Sequence, residues 1–518
     1  MQRQIIEREV CVYGASPTAV TAALQVRRQG RSVALVAPGR HIGGMLVEGL
    51  GSQDVDNHGL SNSLAIGGLA ADYFRQIGEA YSTTVQYRFE SNVSERVILA
   101  WLIEAGVELF TDHQLAESRT AVMKDGARIR EIEMENGTRF RARIFIDGTV
   151  EGDLMKGAGV SYTWGREANE TYGETLNGIR ASTTYRQFSV DVDPYVIPKV
   201  PSSGLIATIQ DEPLGIPGSA DRRSMGFCFR QCLTKNPSNR IPIECPVDYE
   251  PARYEIYRRY VVAGGTLFSP KENLPNDKTD LGSWHDLSGN LYGENHGYPD
   301  GTYAEREAIY AFHRRYVHGL YWFLANDPDL PPAVRSDWEP WGLAADEFTD
   351  NDGWPRSLYI RCGRRMISDY VITEADVRGK VVAGDSIGVA YWPPDMHHVR
   401  RIVKNGKAYN EGFVFGADDW TPFPISYRAI TPRRVECENL LVPAALSSSY
   451  VGYGSVRLEW TMMVLGQSAG SAAVEALISN TAVQDINYSA LCNQLLADGQ
   501  VLDVTPMKLT HAGTGEYS

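Results

Sequence analysis

The chain has 518 residues and is 43% apolar, enough to bury a large core and to divide into two or three lobes around one or more sheets. Its 50 basic and 64 acidic residues give a formal charge of −14, which argues against a nucleic-acid footprint or an anchor on an anionic membrane. No apolar run approaches the ~20 residues of a membrane span, the start lacks a secretory apolar core, and the seven cysteines form no C-x-x-C pair; a soluble cytoplasmic protein with neither disulfide framework nor metal site is therefore expected.

In chain order, residues 9–13 (EVCVY) form a short buried strand, 14–19 (GASPTA) turn the chain, 20–29 carry a helical pattern rich in Ala and Leu, and 32–36 (SVALV) form a second strand. Strand, glycine turn, helix and strand within about thirty residues is the dinucleotide-binding unit, whose helix N-terminus offers free amides to a pyrophosphate. The same layout also serves an ordinary βαβ crossover. Gly14, Ala15, Ser16 and Pro17 are the phosphate candidates, with Ser16 and Ala19 standing where the second and third glycines of G-x-G-x-x-G would be. Ala37-Pro38 occupies the place of the acidic residue that takes ribose hydroxyls, so that contact is lost unless Arg40 or a backbone group replaces it. Pro38, Gly39, Arg40, Gly43, Gly44 and Met45 follow, and the double glycine leads into the loop 48–54 (EGLGSQD), where backbone can pass close to a flat ring without interference from a Cβ.

Seven segments now carry a resemblance: GRHIGGM (39–45), AIGG (65–68), FIDGTVEGD (145–153), YGETLN (172–177), CLT (232–234), WFLAND (322–327) and GSVR (454–457). In this order they resemble the FAD-dependent oxidoreductases of bacteria and fungi, within the glutathione-reductase-like, two-dinucleotide-binding-domain flavoproteins. The resemblance spans nearly the whole chain. It implies an α/β fold in which a Rossmann-like FAD-binding domain with a central parallel sheet is split in sequence (1–180 and 431–480). A mixed α+β substrate region (181–430) with a helical insertion near 300–345 and a substrate sheet lies between, and 481–518 is a tail. Ala37 and Glu48 depart from the family pattern, which has an acid at the first position and usually a small residue at the second.

Residues 91–105 form a helix ending at Gly106, and the strand 107–110 leads to Leu115. The resemblance implies that backbone near Leu115 hydrogen-bonds adenine; an ordinary sheet strand would look the same in sequence. The strand 143–147 ends in Gly148-Thr149, implied to approach the pyrophosphate, with Asp153 as the cap of a helix over 154–158. Residues 303–326 place Ile309, Phe312, Tyr316, Leu320 and Phe323 on one helical stripe, and the Gly/Asn/Asp-rich stretch 273–300, carrying Trp284, His285, His296 and Tyr298, is either a lid or a surface connection. Strands at 358–361, 371–373 and 423–427 suit the substrate sheet. A strand at 439–445 and a loop then deliver a smooth helix over 455–477, and the resemblance places Ser455, Val456 and Arg457 at its start, against the flavin's pyrimidine edge.

Arg457 has two alternatives, a surface cation or a partner for Glu459. His397 or His398 is the general-base candidate because histidine titrates in the useful range, and a structural histidine pair is the competing reading. Tyr427 and Tyr453 complete the catalytic candidates. Arg361, Arg364 and Arg365 are suited either to gripping a carboxylate or to pairing with Asp369, Glu374 or Asp376, and His41 is a further candidate as a covalent flavin tether. These residues lead to the expectation of an FAD-dependent dehydrogenase or oxidase transferring a hydride from a small organic substrate. The alternative is a flavin-binding protein of the same fold with a non-redox or regulatory role.

Overall fold

A computed structural model describes residues 4–282, 286–417 and 419–507; Trp284, His285 and the last part of the expected tail lie outside the described residues. Strand β1 (Ile5–Tyr13) runs into helix α1 (Pro17–Arg28) and strand β2 (Val33–Val36). Helix α2 (Ser91–Glu104), strand β3 (Glu108–Phe110), the hairpin β4 (Val122–Asp125) and β5 (Arg128–Glu133), and the long strand β6 (Arg139–Asp147) follow. The sheet runs β3-β2-β1-β6, and those contacts are parallel. The antiparallel β4–β5 hairpin pairs with the first half of β6, and the C-terminal strand β7 (Leu440–Leu441) pairs in parallel with its last residues. Parallel strands need cover on both faces, and the ends of β1 and β6 are accordingly almost wholly buried.

Two segments separated by more than 400 residues make one layer of this domain. Helix α3 (Tyr303–Asn326) begins on a capping box formed by Thr302 and Glu305, as its expected boundary requires. Near the C-terminus the expected single helix is broken in two: α4 (Tyr450–Val456) ends on Arg457, and Leu458 caps α5 (Glu459–Ser479). Ser455 and Val456 therefore lie in the last turn of a short helix rather than at the start of a long one. Residues 456–463 alternate apolar and polar (Val, Arg, Leu, Glu, Trp, Thr, Met, Met), and no proline or glycine marks the break.

α5 packs along α1 through its small residues. A Cβ at Gly466 would sit 2.2 Å from the Thr18 carbonyl oxygen, and one at Gly470 would sit 2.7 Å from that of Ala22. Thr21 Oγ1 donates to the Met463 carbonyl at 2.7 Å across the same seam.

The covering layer of the middle region is not one substrate sheet. It consists of small antiparallel pieces: 386–390 with 423–426, 395–396 with 414–415, and the hairpin 400–404 with 407–411. Residues 358–361 contribute only an isolated bridge between Tyr359 and Cys228. Pro393 and Pro394 interrupt the chain between two of the pieces, as proline's missing N–H dictates. Among the described residues no helix is long and apolar enough to cross a membrane.

Replacing Gly466 by alanine should push α1 and α5 apart and destabilise the protein by about 1–3 kcal/mol. A Cβ at the exposed Gly384 would meet nothing within 4 Å, so Gly384→Ala should leave the melting temperature unchanged. Thermal unfolding of the two variants checks the pair.

Candidate functional site

The turn after β1 builds the floor of a groove. Gly14 has φ +129°, and a Cβ on it would lie 2.7 Å from the carbonyl carbon of Gly148, so the ends of β1 and β6 approach backbone to backbone. Gly148 in turn faces Ala19, 2.6 Å from where its own Cβ would be. Ser16 caps α1: its hydroxyl accepts from the Ala19 N–H and donates to the Gly148 carbonyl. The serine thus points inward. Thr18 Oγ1 is buried beside the same helix start without a hydrogen-bond partner.

A groove of about 290 Å³ opens over this turn. Ala15, Ser16 and Pro17 line it from the turn, Pro38, Gly39, Arg40, Gly44 and Met45 from beyond β2, and Thr149, Tyr453 and Arg457 from the far side. Gly14, Gly43 and Gly148 lie behind this lining, where they permit close packing. Gly43 (φ +135°) donates its N–H to the Ala15 carbonyl at 2.7 Å and has no room for a Cβ beside Val47 and Ile98. Ser455 and Val456 are buried, for the reason given by the helix break, and do not line the groove. Arg40 and Glu48 border the groove without filling it; Arg40 is exposed and paired with Asp112 at 3.1 Å.

The strand end after β6 is held by its own side chains. Asp147 accepts from the Thr149 N–H and hydroxyl and from the Met155 N–H, and burial pushes its carboxyl up to about 6. Asp153 is not the cap of the following helix, which starts after Gly152 in a left-handed conformation. Instead it takes both guanidinium nitrogens of Arg306 at 2.8 and 2.9 Å and Nη1 of Arg364 at 2.8 Å.

The groove continues into a second space of about 220 Å³ lined by Tyr13, Gln114, Tyr298, Tyr303, Arg306 and Tyr310, sharing Pro38, Thr149 and Glu151 with the first. Here the expectation for Leu115 meets an obstacle. Its N–H donates to the Tyr13 hydroxyl and its carbonyl accepts from the Tyr303 hydroxyl, both at 2.9 Å, so the backbone groups implied for adenine are already engaged.

A third space of about 110 Å³ adjoins the groove's other end and shares Tyr359, Arg361 and Arg457 with it. Arg457 pairs with Asp395, not Glu459: Nη2 reaches Oδ2 at 2.7 Å, Nε the Asp395 carbonyl at 3.2 Å, and Nη1 the Tyr359 hydroxyl at 3.0 Å. His397 lines this chamber with Nε2 at 3.4 Å from Asp395 Oδ1. Burial, then the charges of Arg361 and Arg457, holds His397 well below the ordinary histidine range, so its imidazole is neutral.

Successive residues of an extended chain face opposite ways, and His398 points into the core, its Nδ1 3.3 Å from the Tyr292 hydroxyl and its ring beside Phe413. Tyr427 is likewise in the core, its hydroxyl donated to the Val483 carbonyl at 2.6 Å. Tyr453 lines the groove with its hydroxyl 3.4 Å from the Ala444 carbonyl.

Of the three arginines, Arg361 alone faces the chamber. Arg364 pairs with Asp153 and Asp300, and Arg365 with Glu167, rather than with Asp369, Glu374 or Asp376. His41 lines the groove with Nδ1 on Glu95 at 2.6 Å and Nε2 on Asp350 at 2.8 Å; both nitrogens are engaged, which leaves neither for a covalent tether. Sequence reasoning missed Tyr359, Asp395, Arg230 and Arg356. The density of Arg and aromatic residues around Pro355 hints at Arg356 and Tyr359; no local signal marks Arg230 or Asp395.

The donor set fits FAD at two of its three parts. The α1 amides, the unpartnered Thr18 hydroxyl and the open space over Gly39, where a Cβ would meet nothing within 4 Å, suit a pyrophosphate. The groove beside Met45, Tyr453 and Arg457 would hold the ring system. The adenine edge does not fit as the resemblance implies.

A family model described as FAD dependent oxidoreductase matches residues 9–495. Among solved structures, the flavin-dependent brominase Bmp2 is similar at 14% identity over 32% of this chain and 42% of that one, with a TM-score of 0.23. The anhydrotetracycline hydroxylase OxyS from Streptomyces rimosus matches at 13% identity over 42% of this chain and 44% of that one, with a TM-score of 0.22. L-proline dehydrogenase from P.horikoshii matches at 14% identity over 33% and 26%, with a TM-score of 0.19. The matched part is under half the length of each of these three chains. No curated protein matches.

Burial pushes Glu48 up to about 7 against the pull of Arg356, whose backbone N–H it accepts at 2.6 Å. A carboxyl raised in the folded state binds its proton there while the unfolded chain has released it, so stability falls as pH rises from about 4.5 to about 7. Glu48→Gln should therefore gain stability relative to the unmodified chain across that window, by up to roughly 3 kcal/mol at pH 8 compared with pH 4. Melting temperatures of both proteins against pH check it; a constant difference contradicts the assignment.

Proposed function

This chain belongs to the FAD dependent oxidoreductase family, whose model covers residues 9–495; starting from that, we propose that it is a dehydrogenase or oxidase acting on a small anionic alcohol or amine. Membership makes it an enzyme and FAD its cofactor. The observation that carries the finer reading is the chamber that shares Tyr359, Arg361 and Arg457 with the groove and that His397 lines beside Asp395.

Bound FAD supplies the two-electron acceptor for the hydride that leaves the substrate carbon. His397 takes the proton of the substrate's O–H or N–H as the C=O or C=N bond forms, and Asp395 stabilises the resulting imidazolium. Oxygen or another acceptor then removes the two electrons.

The chamber's charge supports an anionic substrate. Arg186, Arg230, Arg361 and Arg457 line it against Asp54 and Asp395. Arg457 is balanced by Asp395 and Arg230 by Asp280, at 2.7 and 2.6 Å. Arg361 donates instead to the Gly226 carbonyl, the Cys228 sulfur and the Asn290 side-chain oxygen, so its charge stays available to a carboxylate. Trp392, Tyr359 and Phe413 supply the apolar walls.

The visible spectrum of the purified holoenzyme, recorded anaerobically against a panel of hydroxy and amino acids and their uncharged counterparts, tests this. Anionic members should bleach the flavin bands; bleaching by the uncharged members at equal or greater rates sinks the anionic reading. His397→Asn should slow bleaching by roughly 10²–10⁴-fold while the oxidised spectrum stays unchanged. His398→Asn should not do so, since His398 faces the core.

A further inference from the structure

The adenosine end of the groove is built unlike its phosphate end. Leu115 offers one N–H and one carbonyl toward the space beyond β3, an arrangement that matches the acceptor at N1 and the donor at N6 of adenine. In this chain those two groups are taken. The Tyr13 hydroxyl accepts from the N–H and the Tyr303 hydroxyl donates to the carbonyl, each at 2.9 Å. One acceptor and one donor, held by two phenols, present what the base itself would present.

Neither phenol is free to swing away. Tyr13 is the last residue of β1 and is 1% exposed, fixed by the strand ladder on either side. Tyr303 opens α3 next to the Thr302–Glu305 capping box, and its N–H donates to Glu117 Oε1 at 2.9 Å. The Arg306 guanidinium lies 5.8 Å from its ring centre and is itself held by Asp153. Releasing Leu115 would mean moving a strand end or the start of a 24-residue helix.

We propose that Tyr13 and Tyr303 stand in for the base-reading contact, so that this chain holds the adenosine half of FAD without discriminating the base. The inference rests on FAD being the cofactor, which the family gives. Two observations agree with it. Ala37, in place of the acid that would grip the ribose, is fully buried. The space beside the tyrosines is lined by the rings of Tyr298 and Tyr310, which suit stacking on a base of any kind, while Arg306 and Arg356 stand there beside the carboxylates of Glu151, Asp153 and Glu307.

The test compares dissociation constants of the deflavinated full-length protein for FAD and for flavin hypoxanthine dinucleotide, by quenching of flavin fluorescence. Hypoxanthine carries a donor at N1 and an acceptor at position 6, the reverse of adenine. A site that reads the base through Leu115 would favour FAD by roughly tenfold or more. The unmodified chain should bind the two within about threefold, and a preference of tenfold or more overturns the proposal on its own. Tyr303→Ala, which removes the ring together with its hydroxyl from the Leu115 carbonyl, should shift the ratio toward FAD; an unchanged ratio in the folded variant also counts against it. Failure to bind either dinucleotide overturns the FAD assignment together with this inference, whereas strong base discrimination overturns this inference alone.

Discussion

The backbone contact between Gly14 and Gly148 sets the geometry on which every later feature depends. Two parallel strands, β1 and β6, end side by side, and with 2.7 Å between a would-be Cβ and the facing carbonyl carbon only glycine lets them do so. Because they meet, α1 starts directly over the strand ends and its first amides face the groove. Because α1 sits there, α5 can lie along it only if Gly466 and Gly470 carry no side chain. Ser16 fits the same logic. In the place of a second glycine it turns inward, caps α1 and ties the turn to the Gly148 carbonyl, so the departure from the fingerprint adds a hydrogen bond where a void would be.

Around this frame the molecule buries an unusual number of arginines, and nearly all are spent on structure. Arg166 holds Asp221 and Glu411 with 1% side-chain exposure, Arg365 holds Glu167, and Arg364 holds Asp153 and Asp300. Such pairs add little net stability over apolar packing, yet removing one partner leaves a buried charge uncompensated. They fix which loop lies against which strand. Against that background Arg361 donates to neutral acceptors at the chamber wall, and Arg457 joins groove and chamber through Tyr359 and Asp395.

What the sequence disclosed follows from what periodicity and turn chemistry encode. The strands at 9–13 and 32–36, the helix at 303–326 and the glycine turns were legible because each rests on local spacing. The break between α4 and α5 was not, since no proline or glycine stands at Arg457-Leu458 to announce it. Choosing between His397 and His398 needed the side of the chain each faces, which adjacent positions in a sequence cannot state. The substrate sheet was overestimated because short apolar runs look like strands whether or not a partner strand is in register. Leu115 was the hardest case: a backbone contact leaves no mark on residue type, and its blocking groups come from residues 102 positions before and 188 after it.

Those blocking groups also explain how the middle region is seated. Tyr303 reaches Leu115, Arg306 grips Asp153, Tyr298 donates to Glu151 at 3.2 Å, and Lys156 pairs with Asp300 at 2.9 Å. All four join the segment 298–306 to the β3 exit and the strand end after β6, the two places that flank the adenosine space. At the opposite end, Tyr359 and Asp395 of the same region join Arg457 between α4 and α5. The middle region is thus fastened at both ends of one groove. The tyrosines at Leu115 serve as part of that fastening as much as part of the nucleotide site.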